Sequence, residues 1–235
     1  MKATTILFDL DGTLLPMNLD VFMKAYFGGL AEHMAPYGYE PKRFIASIWQ
    51  GSAYMVKNNG KRTNEEAFWD GFNNSYGRDG RLDEEHFAEF YRTKFDSVSA
   101  VCGRSDRARE VIDLVKKKGL RPVLATNPVF PSMATERRIR WAGLAPEDFV
   151  LFTSYENSSF CKPSLDYYRS ITNTLGVSPE ECVMVGNDVG EDMIAEKLGM
   201  RVFLLTDCLI NKSGEDISKY PNGSFDELIE FISSL

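Results

Sequence analysis

Residues Thr4-Thr5-Ile6-Leu7-Phe8-Asp9-Leu10-Asp11-Gly12-Thr13-Leu14 constrain this chain more than any other stretch, because an apolar run there delivers two carboxylates, one residue apart, onto a glycine turn. The run reads as a strand carrying a site at its end. In an extended chain residues i and i+2 share a side, so Asp9 and Asp11 converge where the strand stops. Two like charges that close are costly to bury unless a cation or a shared proton compensates. The plainer alternative is a solvated Asp-Gly turn. It is outweighed by the buried character of the run and by matching partners in three later segments.

The chain of 235 residues, 43% of them hydrophobic, suffices for one large domain or two modest ones with an ordinary core. Its net charge of -7, with both signs mixed along the sequence, argues against a nucleic-acid partner, which requires a concentrated basic face. Cys102, Cys161, Cys182 and Cys208 lack CxxC spacing, so neither a zinc site nor a disulfide framework is expected. They read as reduced core residues, with Cys161 the one whose modification would inhibit. No run approaches the roughly 20 apolar residues of a membrane span, and no signal-like segment opens the sequence. The expectation is a soluble cytoplasmic protein with no membrane partner.

From Leu14 to about Cys102 the sequence is aromatic-rich and helical in period. Apolar residues recur at helical spacing over Asn18–Pro36, Pro41–Met55, Asn64–Tyr76 and Asp83–Val98, with breaks at Pro36-Tyr37-Gly38, Asn58-Asn59-Gly60 and Gly77-Arg78-Asp79-Gly80. A regular alternation follows. Ser105 is the expected N-cap of a helix with apolar face Ala108, Val111, Ile112 and Val115, ended by three lysines and Gly119. Strands are predicted at Arg121–Ala125, Phe149–Thr153, Cys182–Val185 and Arg201–Leu205. Helices are predicted at Ser132–Ala142, Ser164–Leu175 and Glu191–Leu198, and in a last segment opened by a Ser224–Glu227 capping box. With the opening strand these make five strands separated by helices, an α/β fold with a doubly wound parallel sheet. The domain expectation is a core of 1–14 and 103–235 with a helical insertion over 15–102.

In such sheets ligands bind beyond the carboxyl ends of the strands. The residues found there are Asp9 and Asp11, Thr126 and Asn127, Ser154, Asn187 and Asp188, and Thr206 and Asp207, with Lys162 in the loop after the Phe149–Thr153 segment. Facing carboxylates make a magnesium site, and magnesium favours few carboxylates, waters and a substrate phosphate. Thr126 and the amides after it, near the start of the Ser132 helix, would hold phosphate oxygens, with Lys162 supplying a cation.

Four segments, Phe8–Leu14, Ala125-Thr126-Asn127, Lys162-Pro163 and Gly186-Asn187-Asp188-Val189-Gly190-Glu191-Asp192, resemble in order the four motifs of the haloacid dehalogenase superfamily. They span essentially the whole chain, and the insertion before Thr126 resembles that family's helical cap. The resemblance implies a Rossmann-like core, Mg²⁺ dependence and phosphoryl transfer through a covalent aspartyl-phosphate. Carried over residue by residue, Asp9 is the nucleophile. Asp11 protonates the leaving oxygen and later activates water, which requires a displaced pKa. Thr126 and Asn127 bind the phosphoryl group, and Lys162 stabilises Asp9 and the developing charge. The metal ligands are the Asp9 carboxylate, the Asp11 carbonyl, and Asp188 or Asp192. Asn187 stands where many relatives have the acid, so one of those two is direct and the other sits behind it, with Asp188 favoured.

The expected activity is hydrolysis of a small phosphorylated metabolite. A phosphomutase shares all four motifs and stays an alternative. A 2-haloacid dehalogenase is disfavoured by Asp11, a signalling receiver by the helical insertion, and a non-catalytic phosphate binder by the filled catalytic positions. His33 and His86 lack metal-ligand spacing and read as packed or solvated. Lys57, Lys61 and Arg62 form the densest basic cluster of the insertion and read as a solvated helix end rather than a substrate clamp.

Overall fold

A computed structural model describes residues 2–235; Met1, inside the expected core segment 1–14, lies outside the described residues. Strand β1 (Thr5–Phe8) is followed by helices α1 (Leu19–Met34), α2 (Pro41–Val56), α3 (Asn64–Tyr76) and α4 (Glu84–Thr93). Then come α5 (Arg107–Lys117), β2 (Arg121–Leu124), α6 (Ser132–Trp141), α7 (Leu165–Leu175), β3 (Cys182–Gly186), β4 (Arg201–Leu205), β5 (Asn222–Gly223) and α8 (Phe225–Ser234). The strands form one parallel sheet in the order β2-β1-β3-β4-β5. β1 therefore has neighbours from later in the chain on both sides, and its carboxyl end is the switch point where such sheets bind ligands.

Alternation along β1 explains the two layers. Ile6 and Phe8 join the apolar cluster that runs through α5, α8 and the aromatic cap helices, whereas Leu7 joins the one formed with Tyr167, Tyr168 and Ile171 of α7. The helical segment between β1 and α5 packs mainly aromatic rings, including Phe22, Phe44, Phe72 and Phe90, each almost wholly buried. This is an α/β doubly wound sheet with a smaller all-helical cap.

Three local expectations are corrected. Phe149–Thr153 is not a ladder strand; it makes a single bridge, Leu124 to Phe152. The reason is Pro122 in β2, which has no N–H to continue that ladder two residues before Leu124. The fifth strand is instead β5, two residues beside Leu204 and Leu205, too short and polar to show a pattern. Glu191–Leu198 is not an α-helix but a 3₁₀ turn, Met193–Leu198, entered by Asp192 with its side chain turned inward onto Lys162. The N-cap of α5 is Asp106, and Ser105 accepts from the Arg107 N–H at 3.2 Å. The Ser224 capping box and the Gly119 helix stop, at φ +73°, are present as expected.

Candidate active site

β1 delivers Asp9 to its carboxyl end, where the Asp9 N–H bonds the Val185 carbonyl of β3 and the Phe8 carbonyl accepts from Ala125 after β2. One carboxylate oxygen of Asp9 accepts from Lys162 Nζ at 2.8 Å, and the other from the Thr13 hydroxyl at 3.2 Å. Lys162 is 1% exposed, and its ammonium also meets Asp192 Oδ1 at 2.6 Å. Burial alone would drive the Lys162 charge off, but Asp192 and Asp9 outweigh it and hold the ammonium well above its ordinary range. Asp192 is raised, chiefly by burial, with Lys162 pulling the other way and Asp9 adding to the rise.

Two glycines make this approach possible. A Cβ on Gly186, the last residue of β3, would lie 2.1 Å from Asp192 Oδ2. Gly12 has φ +89°, and a Cβ there would lie 2.4 Å from Asn187 Nδ2. The Asp-Gly turn therefore folds directly against the β3 loop. Thr13 ties the two together, its hydroxyl also reaching Asn187 Oδ1 at 3.0 Å.

Asp11 faces the other way. Its Oδ2 pairs with the guanidinium of Arg138, which is fully buried, while Oδ1 is buried without a partner. Burial raises the Asp11 carboxyl, Arg138 opposes the rise and the Asp9 charge adds to it. The turn's backbone hydrogen bonds go to the carbonyls of Leu10 and Leu15, not to that of Asp11.

Thr126 is buried, its carbonyl accepting from the Tyr167 hydroxyl at 2.8 Å and from the Thr153 hydroxyl at 2.7 Å. Asn127 donates to Glu191 Oε2 at 3.1 Å, and its own Oδ1 is buried without a partner. Part of the amide stretch expected at the start of α6 is taken up. Glu156 holds the Ser132 N–H with both carboxylate oxygens at 2.9 Å, and Pro128 and Pro131 carry no N–H at all.

Asp188 and Asp192 occupy different places. Asp192 has both oxygens engaged, by Lys162 and by the Asp188 N–H at 3.0 Å. Asp188 is half-buried and uses one oxygen, Oδ1, to cap the Gly190 and Glu191 N–H groups at 2.8 and 3.0 Å. Asp9, Lys162 and Asp192 thus form one network, joined to Asn187 through Thr13, while Asp11 belongs to a second one with Arg138. Burial pushes the Cys161 thiol up to about 12, which disfavours a thiolate beside Lys162.

Sequence reasoning missed Arg138 and Asn64. Arg138 falls on the buried stripe of α6 with Ala134, Thr135 and Ile139, so a cation on an apolar helix face was the available signal. Asn64, fully buried at the start of α3, donates towards the carbonyls of Pro128 and Phe160 at 3.2 and 3.3 Å. It bridges the cap to the two loops that carry Thr126 and Lys162. Its position, one residue after the Thr63 cap, looked like ordinary helix entry.

With strand ends, paired carboxylates and the buried lysine in this arrangement, the family comparison is decisive: the model for haloacid dehalogenase-like hydrolases matches residues 3–197. The chain belongs to the haloacid dehalogenase-like hydrolase family. Among solved structures it is similar over 99% of its length, at 18% identity and a TM-score of 0.60, to the HAD phosphatase from Thermococcus onnurineus, 98% of which is covered. CbbY from Rhodobacter sphaeroides, solved in complex with phosphate, matches at 19% identity and TM-score 0.57 over 96% of each chain. YfnB from Bacillus subtilis, solved bound to magnesium, matches at 16% identity and TM-score 0.55 over 99% of each chain. At these identities the likeness shows a shared fold. No curated protein matches the chain. Among the described residues no helix of this family member is long and apolar enough to cross a membrane.

Proposed function

We propose that this hydrolase is a Mg²⁺-dependent phosphatase that cleaves a small phosphorylated metabolite through an aspartyl-phosphate on Asp9. The observation that carries this is Lys162, a fully buried ammonium between Asp9 and Asp192 at the switch point. It holds one Asp9 carboxylate oxygen at 2.8 Å while Thr13 takes the other, which orients the group as a positioned nucleophile. We take residues 1–14 and 103–235 as the catalytic core and 15–102 as the cap that excludes water and meets the leaving group.

The donor set fits a hard divalent cation. Asp9 supplies a carboxylate, Asp11 a carbonyl free of the turn's hydrogen bonds, and Asp188 a carboxylate with only one oxygen committed. Asp192 is saturated by Lys162 and the Asp188 N–H, and so acts behind Asp188. Among the described residues no group of three or more His, Cys, Asp or Glu side chains forms a ready cage. Magnesium keeps waters and substrate phosphate among its ligands, so few protein oxygens suffice for it. When bound, the metal neutralises phosphate charge and orients the phosphoryl group.

In the first half-reaction an Asp9 carboxylate oxygen bonds to phosphorus as the bond to the leaving oxygen breaks, and the Asp11 carboxyl gives that oxygen its proton. Asp11 Oδ1, which has no partner, carries that proton, while Arg138 holds Oδ2. In the second, the Asp11 carboxylate takes a proton from water as the water oxygen bonds to phosphorus, freeing inorganic phosphate and restoring Asp9. Thr126 and Asn127 hold the transferring oxygens, and Lys162 stays charged throughout. The test is phosphate release from an aryl phosphate with and without EDTA. Asp9→Asn should abolish it, by at least about 10⁴-fold as for other lost nucleophiles, and Mg²⁺ should restore the chelated wild type. Activity that survives either treatment would refute the proposal.

A further inference from the structure

A cavity of about 190 Å³ between the cap and the core is walled mainly by aromatic rings, among them Phe27, Phe87 and Phe130, and none of the residues placed in the reaction lines it. A polar group that the mechanism leaves unused lies elsewhere, beside the phosphoryl site. Asn127 Nδ2 donates to Glu191 Oε2 at 3.1 Å, and Asn127 Oδ1 is buried without a partner. Asn127 follows β2 and Glu191 lies in the loop after β3, with β1 between those strands, so their hydrogen bond spans the strand end that carries Asp9. The charges of Lys162, Asp188 and Asp9 all act on Glu191. Two consecutive, fully buried tyrosines of α7 brace the two ends of this bond. Tyr167 gives its hydroxyl to the Thr126 carbonyl at 2.8 Å, and Tyr168 gives its own to the Glu191 carbonyl at 2.6 Å. The Glu191 N–H is held in turn by Asp188 Oδ1 at 3.0 Å.

We propose that Glu191 is a positioning residue for the hydrolytic half-reaction: by holding the Asn127 amide nitrogen, it presents Asn127 Oδ1 as the acceptor for the attacking water. This deepens the phosphatase reading and rests on it. An Asn side chain that is free to turn offers either its N–H groups or its oxygen, and the two ends bind different things. A carboxylate oxygen accepts and does not donate, so Glu191 takes the nitrogen and leaves the oxygen to the site. That oxygen cannot serve the phosphoryl group, whose oxygens are acceptors too. They fall to the Thr126 hydroxyl and the Asn127 main-chain N–H. The ester oxygen of the substrate carries no hydrogen either. Among the reacting species, the attacking water is the one with two hydrogens to place. One goes to Asp11 as the water oxygen bonds to phosphorus and the bond from phosphorus to Asp9 breaks. The other stays on that oxygen, becomes the hydrogen of the released hydrogen phosphate, and is the one that meets Asn127 Oδ1. A buried acceptor left unpaired is costly, so the site favours the state in which this water is seated. Glu191 acts through Asn127 and not on the phosphoryl group itself.

The test is the steady-state and burst kinetics of the Mg²⁺-loaded protein on p-nitrophenyl phosphate. kcat/KM covers the steps up to loss of nitrophenolate, whereas kcat also contains hydrolysis of the aspartyl-phosphate. Glu191→Ala should lower kcat about ten- to a hundredfold, as for a misplaced catalytic contact. KM should fall with it, leaving kcat/KM little changed, and a burst of nitrophenolate should precede the slow turnover. Asn127→Ala keeps its main-chain N–H and should behave in the same way. The two changes together should cost no more than either alone, because both remove one contact. Glu191→Gln still offers an accepting oxygen and should recover part of kcat. A fall in kcat/KM as large as that in kcat, wild-type kinetics for Glu191→Ala, or no recovery in Glu191→Gln would each overturn the inference, while wild-type turnover left the phosphatase reading standing. A wild type without Mg²⁺-dependent turnover would remove both. Should Glu191→Ala fail to fold, Asn127→Ala decides the matter by the same split between kcat and kcat/KM.

Discussion

The buried charges at the end of β1 and the aromatic cavity under the cap handle the same problem in opposite ways. In the first, each buried cation lies against a carboxyl group: Lys162 between Asp9 and Asp192, and Arg138 against Asp11. In the second, rings supply most of the surface, and its lining holds two carboxyl groups, Glu84 and Glu156, with no Lys, Arg or His. The first region holds its groups in place through ion pairs, whereas the second is held by ring packing. Arg138 joins them, with its guanidinium bonded to the one and stacked on a wall of the other.

The largest effect should come from breaking the balance. Lys162→Met leaves Asp9 and Asp192 buried without their cation and should cost about 3–5 kcal/mol of stability, as for other broken buried pairs. Adding Asp192→Leu should recover part of that loss in denaturant unfolding, because one orphaned charge is then removed. A double variant no more stable than the single would show that packing, not charge, sets the cost.

Arg138→Gln tests the joint between the regions. Asp11 acts as an acid only when protonated, so kcat/KM falls as pH rises through its pKa. Arg138 opposes the rise that burial causes, and its loss should move that alkaline limb to higher pH while kcat drops about ten- to a hundredfold. A limb that stays in place would disconnect Arg138 from Asp11 and make it a packing residue. Asn64→Ala should act on the seam itself. It removes the bridge from α3 to the Pro128 and Phe160 carbonyls, about 1–3 kcal/mol of buried hydrogen bonding, and should raise KM several-fold with a smaller change in kcat.

The smallest effect belongs to a charge cluster on the core surface, which serves as the contrast. Burial would lift the Asp148 carboxyl, but Arg109, Lys116 and the Ala145 N–H outweigh it and hold it well below the usual range. A carboxyl lowered in the folded state contributes stability above its unfolded pKa of about 4, and that contribution is lost as pH falls towards the native value. Asp148→Asn should therefore flatten the acid side of the stability profile below about pH 4 and leave neutral-pH turnover as it was. A comparable loss of turnover would mean that the surface cluster is coupled to the site.

Much of this was legible in the sequence because it is local. The apolar run ending in Asp9-Leu10-Asp11-Gly12 announces a strand that ends in a turn, helical periods mark the insertion, and Lys116-Lys117-Lys118-Gly119 marks a helix end. Such patterns arise from backbone geometry and side-chain period, which neighbours in sequence carry by themselves. Partners across space are another matter. Whether Asp188 or Asp192 faces Lys162 depends on Gly186 giving Asp192 room, and whether Asp11 is alone depends on an arginine 127 residues away. The Phe149–Thr153 run has strand composition, yet Pro122 on the neighbouring strand denies it a ladder. A strand of two residues, β5, exists only because β4 is there to pair with it. The sequence alone determined that two carboxylates stand at a strand end and which residue types stand at the other strand ends. Tertiary structure decided which charges neutralise each other and where an aromatic cavity opens, because burial and pairing are properties of the packed chain and not of any one segment.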